Sequence, residues 1–146
     1  MGKLIHTLSE LDAEAERFVS ELVPKEDKAT LILLSGELGA GKTAFTKAVA
    51  HSLGIDEVVN SPTFVLEKIY QLGSEASKFK HLVHIDAYRL ESGSDLINIC
   101  FEELMNDAGN LILLEWPEKV SDMLPDTATH ISISSLPDSS RTISYG

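Results

Sequence analysis

The chain alternates between short, uninterrupted runs of apolar residues and longer segments in which apolar residues recur at helical spacing. Apolar runs of roughly four to eight residues, bounded by polar or turn-forming residues, are typical of strands buried on both faces of a sheet. We predict three such strands, at residues 30–35, 81–86 and 111–115. The second ends in a carboxylate at Asp86 and the third ends in one at Glu115.

Helical spacing predicts three amphipathic helices around these strands. The first is capped by Ser9 and ends before Pro24, the second spans 43–53 and stops at Gly54, and the third runs from a cap at Ser94 to about Asn106, with Gly109 closing it. Further strands are expected at 64–72, 130–134 and 141–145, with turns at 73–80 and 137–140. The pattern predicts one layered α/β domain over residues 1–146, with a mostly parallel sheet and antiparallel pairing near 64–85 and at the C-terminus.

The segment Gly36–Thr43 fits the phosphate-loop pattern G-x-x-x-x-G-K-[ST] and lies between a predicted strand and a predicted helix. Its glycines let the backbone turn tightly, and the amides at the helix N-terminus can point at phosphate oxygens. Lys42 would reach the β- and γ-phosphates, and the Thr43 hydroxyl would take one position on an octahedral Mg²⁺. The strand-loop-helix context argues against a glycine-rich turn without a ligand. We predict nucleotide contacts from Glu37, Leu38, Gly39, Ala40, Gly41, Lys42, Thr43 and Ala44.

These features together predict a P-loop NTPase three-layer α/β fold with a mostly parallel, partly mixed central sheet. In an open α/β sheet the ligand lies beyond the carboxyl ends of the strands, so Asp86 and Glu115 are aimed at the phosphate loop. One carboxylate could hold Mg²⁺, and the other could orient the attacking water or also contact the metal shell, so both are candidate metal residues. The sequence does not divide these roles. The alternative is that both are ordinary polar strand ends.

Four further residues carry open interpretations. Thr63, in Ser-Pro-Thr (61–63), falls where many phosphate-loop proteins sense the γ-phosphate, although a plain turn fits as well. Trp116 has three possible roles: packing over the nucleotide, contact with a partner, or a place in the core. His84 is interpreted as a core histidine or one that supports a neighbouring ligand. Cys100, the only cysteine, is interpreted as core filler, and its isolation excludes an intramolecular disulfide or a CxxC metal site.

Composition narrows the class of protein further. The 146 residues hold 12 Lys and Arg against 23 Asp and Glu, a net charge of −11, and this surface should repel a nucleic-acid backbone. Contact with nucleic acid would therefore pass through a partner, and an acidic surface suits a basic one, unless the acidity serves only solubility. No apolar run approaches a membrane span and no signal segment is evident, so we expect a cytoplasmic protein with no membrane partner.

The nucleotide is expected to be ATP, because no Asn-Lys-x-Asp or Thr-Lys-x-Asp segment for guanine occurs. Three functions remain open: an ATPase subunit, a small-molecule phosphotransferase (kinase), and a nucleotide-gated binding module with negligible hydrolysis. A kinase usually supplies several arginines around its acceptor. This chain has only Arg17, Arg89 and Arg141, which weakens the kinase interpretation.

Four blocks in order resemble the TsaE family: Gly36–Thr43, Ser61–Phe64 (Ser-Pro-Thr-Phe), His84–Leu90 (His-Ile-Asp-Ala-Tyr-Arg-Leu) and Glu115–Pro117 (Glu-Trp-Pro). The resemblance spans roughly residues 9–141. It implies the Mg²⁺-dependent ATPase component of bacterial tRNA threonylcarbamoyladenosine synthesis, which acts on a complex of TsaD and TsaB. TsaD would modify the adenosine beside the anticodon, so tRNA would be met only through that complex.

The resemblance also implies roles for individual residues. Lys42 and Thr43 match the phosphate and metal residues, Asp86 and Glu115 match the family's carboxylates, Thr63 matches a switch-like threonine, and Arg141 matches an arginine near the nucleotide. This chain departs from the pattern at Ala44, where a second threonine is usual, at Cys100, where a glycine is usual, and at Ala13, where a threonine is frequent.

Overall fold

The structure, a computed structural model, describes residues 2–37, 41–55, 67–73 and 78–146, with only the backbone of residue 98. Seven strands in this part of the chain form one sheet in the order β1-β7-β6-β2-β5-β4-β3. They are β1 Gly2–Ile5, β2 Thr30–Ser35, β3 Glu67–Gln71, β4 His81–Asp86, β5 Asn110–Glu115, β6 Thr129–Ser135 and β7 Arg141–Tyr145. The α-helices are α1 Leu8–Glu21, α2 Lys42–Ser52 and α3 Phe101–Met105, and 3₁₀ helices span Gly93–Ile99, Pro117–Lys119 and Ser121–Met123.

The centre of the sheet is parallel and its edges are antiparallel. Strand β2 pairs in parallel with both β5 and β6, and β5 pairs in parallel with β4. Strand β3 runs antiparallel to β4, and β7 runs antiparallel to both β6 and β1. The α/β fold with a mixed sheet is therefore confirmed. Strand β1 had no prediction, because only Ile5 of its four residues is buried and the segment has no apolar run.

Side-chain alternation divides the core between the two faces of the sheet. On the first face, α1 and α2 pack over inward residues such as Ile32 and Leu34, which neighbour Phe18 and Phe45. The second face buries the intervening residues of β2, β4 and β5 beneath α3 and the 3₁₀ helices. That second cluster includes no residue of β6, β7 or β1 among the described residues. In the described part of the chain, the second layer therefore covers β2, β5 and β4.

The start of α1 differs from the prediction of a Ser9 cap. Thr7 is the N-cap, and its side chain accepts a hydrogen bond from the Glu10 amide at 3.1 Å. The Glu10 carboxylate in turn accepts from the His6 amide at 2.9 Å. Thr-x-x-Glu has the spacing of a capping box, and here the Glu10 carboxylate bonds the amide of the residue before the N-cap, so both hydrogen bonds fix the chain where α1 begins.

The prediction of one continuous third helix is wrong, because the segment forms a 3₁₀ helix followed by a short α-helix. Ser92, not Ser94, caps a 3₁₀ helix with a capping box to Asp95, and Cys100 adopts the left-handed conformation at φ 57°, ψ 43° and breaks the helix before α3. Cys100 is also exposed, so its interpretation as core filler is wrong. A glycine tolerates this conformation without strain, which explains why glycine suits the position better than cysteine does.

Two turn predictions need adjustment. Within the predicted exposed turn at 73–80, residues 74–77 lie outside the described residues, and Phe79 is buried at 2% exposure. Gly109 does not close α3, which ends at Met105. The Gly109 amide instead donates to the Asp107 carboxylate in the turn before β5.

Across the described part of the chain, no helix is both long and apolar enough to span a bilayer.

Candidate functional site

Three strand ends and one helix start meet at the carboxyl edge of the sheet. Glu115 pairs in register with Leu34 of β2 on one side and with Asp86 of β4 on the other. Strand β2 ends at Ser35, and Lys42 is the first residue of α2. The geometry therefore brings Lys42 and both predicted carboxylates to one edge, as the strand-end argument expected.

Lys42 is buried at 5% exposure, and its ammonium group turns back onto the loop that precedes α2. Nζ donates to the carbonyl of Gly36 and lies 3.5 Å from the centroid of the Trp116 ring. Burial lowers the pKa of Lys42, and the negative charges of Glu115, Glu118 and Asp86 oppose that fall. The ammonium group thus sits in an acidic, partly dry surrounding that suits a metal-bound polyphosphate.

The N-terminus of α2 has the features of an anion site. Gly41 is its N-cap with φ 108°, a left-handed conformation, and no side chain among the described residues caps the first-turn amides. Thr43 and Ala44 are half-buried in that first turn, while Glu37 is exposed at the end of the loop. An uncapped N-terminus of an eleven-residue helix, with a lysine at its first position, fits a phosphate group. Three predicted phosphate contacts, Leu38, Gly39 and Ala40, lie outside the described residues.

Glu115 is held by a buried histidine. The side chain of Glu115 is 3% exposed, and His84 Nε2–H donates to its Oε2 across 2.5 Å. His84 is fully buried, and its Nδ1 has no hydrogen-bond partner among the described residues. This contact orients the carboxylate. His84 therefore lies behind Glu115, in agreement with its interpretation as a supporting residue.

Asp86 and Glu115 have different surroundings although they are in register. Asp86 is half-buried, and its Oδ1 accepts a hydrogen bond from the Tyr88 amide at 3.0 Å. The backbone thereby holds one oxygen of Asp86 after the strand ends, and the carboxylate lies beside the more deeply buried Glu115. Carboxylates and the Thr43 hydroxyl are the oxygen donors that Mg²⁺ prefers, so this donor set fits the metal.

Arg141, predicted only through the family resemblance, lies beside the phosphate loop. A Cβ added to Gly41 would be 3.5 Å from Arg141 Nε, so the arginine at the start of β7 reaches the helix start across the sheet. Both residues line a cavity of about 250 Å³, together with Ile5, His6, Thr7, Leu8, Leu11, Ala44, Ile133 and Ser139. This cavity adjoins the N-terminus of α2 on the side of α1.

Two features at the site had no prediction, and one prediction falls outside the described residues. Ser35 Oγ and His130 Nε2 are 2.6 Å apart, which links β6 to the last residue before the loop. Trp116 adopts a left-handed conformation at φ 60°, uncommon for a bulky residue, and its half-buried ring meets Tyr88 edge-on at 4.9 Å. Trp116 also packs against the core of the second face. Thr63, the predicted switch threonine, lies outside the described residues.

Fold and site together define a P-loop NTPase-like protein: a mixed α/β sheet, a glycine-capped helix after the first central strand, a buried lysine at its start, and two carboxylates on neighbouring strand ends. The model of the family TsaE, "Threonylcarbamoyl adenosine biosynthesis protein TsaE", matches residues 7–143. The chain therefore belongs to the TsaE family.

Individual relatives agree with this assignment. The chain is 38% identical over 117 residues to the tRNA threonylcarbamoyladenosine biosynthesis protein TsaE of Treponema pallidum, covering 80% of this chain and 82% of that protein. It is 35% identical over 144 residues to the protein of the same name from Rickettsia prowazekii, covering 96% of this chain and 92% of that protein. The crystal structure of Bacillus subtilis YdiB superposes with a TM-score of 0.75 at 27% identity, covering 99% of this chain and 83% of that one.

Proposed function

We propose that this chain binds Mg²⁺ and ATP, hydrolyses ATP, and in doing so supports a complex of TsaD and TsaB in forming threonylcarbamoyladenosine next to the anticodon of tRNA. The observation that carries the proposal is the convergence of Lys42, Asp86 and Glu115 at the uncapped start of α2. Membership of the TsaE family supports the pathway.

The nucleotide would lie along the start of α2. Its phosphates would accept hydrogen bonds from the first-turn amides, and Lys42 would leave the Gly36 carbonyl to contact the β- and γ-phosphates. Arg141 would contribute a second positive charge beside Gly41. The cavity of about 250 Å³ next to Arg141 is polar at Thr7 and apolar at Leu8 and Leu11, a mixture that suits an adenosine group.

The two carboxylates would divide the remaining work. Thr43 and Asp86 would hold Mg²⁺ directly or through its water shell, and the ion would neutralise charge that develops on the phosphate oxygens. Glu115, oriented by His84, would position a water molecule for attack on the γ-phosphorus, and Thr63 would contact the γ-phosphate. The bond between the γ-phosphorus and the bridging oxygen breaks, and ADP and inorganic phosphate are released. Glu115 can also contact the metal shell.

The direct test compares ATP turnover by the isolated chain with turnover after addition of purified TsaD and TsaB. We expect slow release of phosphate that rises when both partners are present, and we expect none from the Lys42→Ala variant under either condition. Absence of both stimulation and binding would overturn the role as a subunit. In the same assay, γ-labelled ATP offered with hydroxyl and amine acceptors should yield label only in free phosphate, whereas a labelled acceptor would favour the kinase alternative.

Substitution of Glu115 separates hydrolysis from nucleotide-controlled binding. A Glu115→Gln variant should still bind ATP, because Lys42 and the start of α2 are unchanged, but it should release phosphate more slowly by on the order of a hundredfold. An unchanged turnover rate, with nucleotide still controlling association with TsaD and TsaB, would favour a binding module over an ATPase.

A further inference from the structure

Half of the second sheet face is open in the described part of the chain, and its surface is rich in hydroxyl groups. Alternation turns Ile131, Ile133 and Ile143 toward α1 and α2, so the intervening residues of β6, β7 and β1 point to the opposite side. Those residues are Gly2, Leu4, His130, Ser132, Ser134, Thr142 and Ser144, all of them exposed or half-buried. We call this set the hydroxyl face.

The hydroxyl face continues into a cavity beside the phosphate loop. The cavity measures about 530 Å³ and is lined by Ser35, Gly36, Glu37, Trp116, Glu118 and residues 132–135 of β6. Its walls therefore combine serine hydroxyls with two exposed carboxylates, those of Glu37 and Glu118. Its position at the carboxyl end of β2 places whatever enters it next to the start of the loop.

The charge of this surface favours a partner with basic side chains. The hydroxyl face and its cavity contain no Lys or Arg among their described residues, while Glu37 and Glu118 are both acidic. The neighbouring Lys119 is directed toward Tyr88, with Nζ 5.8 Å from that ring. Hydroxyls and carboxylates accept hydrogen bonds from ammonium and guanidinium groups. A second copy of this chain, with its own net charge of −11, and a nucleic-acid backbone would both be repelled.

A direct chain of contacts connects the hydroxyl face to the nucleotide site. His130 on β6 is hydrogen-bonded to Ser35, and the next residue, Gly36, accepts the hydrogen bond from Lys42. Trp116, which lines the cavity, carries the Lys42 ammonium on its ring. A molecule seated on the hydroxyl face would therefore touch the residues that hold Lys42 when it is turned back onto the loop.

We propose that the hydroxyl face and its cavity form the docking surface for a partner protein that presents Lys or Arg side chains to Glu37 and Glu118. Docking there couples to nucleotide binding through Ser35, Gly36 and Trp116. The proposal rests on the proposed function for the identity of the partner, since TsaD and TsaB are the proteins used in the test. The position and charge of the docking surface are argued from this chain's own residues.

The test measures the affinity of variants for purified TsaD and TsaB with Mg²⁺ and a non-hydrolysable ATP analogue. Glu118→Gln should weaken binding by roughly three- to tenfold at low salt, and Ser134→Arg should weaken it by more than about tenfold. Ser134→Glu places a similar bulk with the opposite charge on the same strand position, so binding should be retained or strengthened. Glu16→Gln is the matched control, since it removes the same charge from an exposed position on α1, on the first face.

The outcomes separate this inference from the proposed function. Circular dichroism of each variant and the nucleotide affinity of the two Ser134 variants should match the wild type, so that a loss of partner binding is not a loss of fold. If the wild type binds TsaD and TsaB but Glu118→Gln and Ser134→Arg bind equally well, the docking surface is wrong and the proposed function stands. Equal weakening by Ser134→Arg and Ser134→Glu would overturn the basic chemistry of the partner. Failure of the wild type to bind would overturn both proposals.

Discussion

Glu14 links α1 to the edge strand β1 and to β7 through hydrogen bonds, and the loss of stability on its substitution can be calculated. The carboxylate is 5% exposed, and it accepts hydrogen bonds from Lys3 Nζ at 2.8 Å, from Arg17 Nη2 at 2.7 Å and from the Tyr145 hydroxyl. These partners lie on β1, α1 and β7. The same helix and strands form a wall of the cavity that we assign to adenosine. We therefore expect Glu14→Gln to loosen this wall as well as to destabilise the fold.

The magnitude follows from the pKa of the Glu14 carboxyl group. Its hydrogen bonds to Arg17 lower that pKa most, against the opposing effect of burial, from 4.5 to about 2. At about 1.4 kcal/mol per pKa unit, the ionised form contributes at most about 3.5 kcal/mol to stability near pH 7. Lys3 and Arg17 are partly open to solvent, at 52% and 37% side-chain exposure, so screening reduces the measurable effect to about 1–2 kcal/mol.

The sign of the pH dependence is fixed because the folded state holds the lower pKa. The stabilisation is complete above the unfolded pKa of 4.5 and is lost as the pH falls from about 5 toward 2. Urea unfolding of the wild type and of Glu14→Gln should differ by about 1–2 kcal/mol at pH 7 and by less than half of that at pH 3. The exposed Glu16→Gln change on the same helix is the control and should be within about 0.5 kcal/mol of wild type. A difference between wild type and Glu14→Gln that is absent at pH 7, or that is as large at pH 3, would refute the reasoning.

Other predictions follow from the site and from one strained residue. Lys42→Ala removes the buried ammonium group, and calorimetry should show Mg·ATP affinity reduced by on the order of a hundredfold. Asp86→Asn should raise the Mg²⁺ concentration required for half-maximal turnover, and an unchanged metal titration would remove its metal role. Nucleotide should change the emission of Trp116, the only tryptophan, because Lys42 leaves its ring, and Lys42→Ala should abolish that response. Cys100→Gly should raise the free energy of unfolding by about 1 kcal/mol in thermal denaturation, since glycine adopts φ 57° without strain.

The central strands were predictable because burial on both faces leaves a continuous apolar signal. Residues 30–35 and 81–86 match β2 and β4, and β5 begins one residue earlier than expected. Short elements with little burial leave no such signal, which is why β1 was missed. At α1 and at Gly93–Ile99 the capping boxes were present in the sequence, as Thr7-x-x-Glu10 and Ser92-x-x-Asp95, but a nearby serine competes for each cap.

The convergence of Asp86 and Glu115 was also predictable, because parallel strands place their carboxyl ends at one edge whatever the loops between them do. The specific hydrogen bonds around this edge of the sheet were not predictable. His84 meets Glu115 across 31 positions and Ser35 meets His130 across 95, and such pairings depend on the order and register of strands that lie far apart in the chain. Local patterns report which side of a strand a residue occupies, but not which strand lies beside it.

Trp116 shows why local rules fail closest to the chemistry. A bulky residue in the left-handed region costs on the order of 1–3 kcal/mol. The conformation sets the ring beneath the Lys42 ammonium group, and a desolvated cation–π contact contributes about 2 kcal/mol. Since the strain and the contact are similar in size, departure of Lys42 toward a phosphate removes the interaction that offsets the strain. We therefore expect nucleotide binding to change the backbone conformation of Trp116.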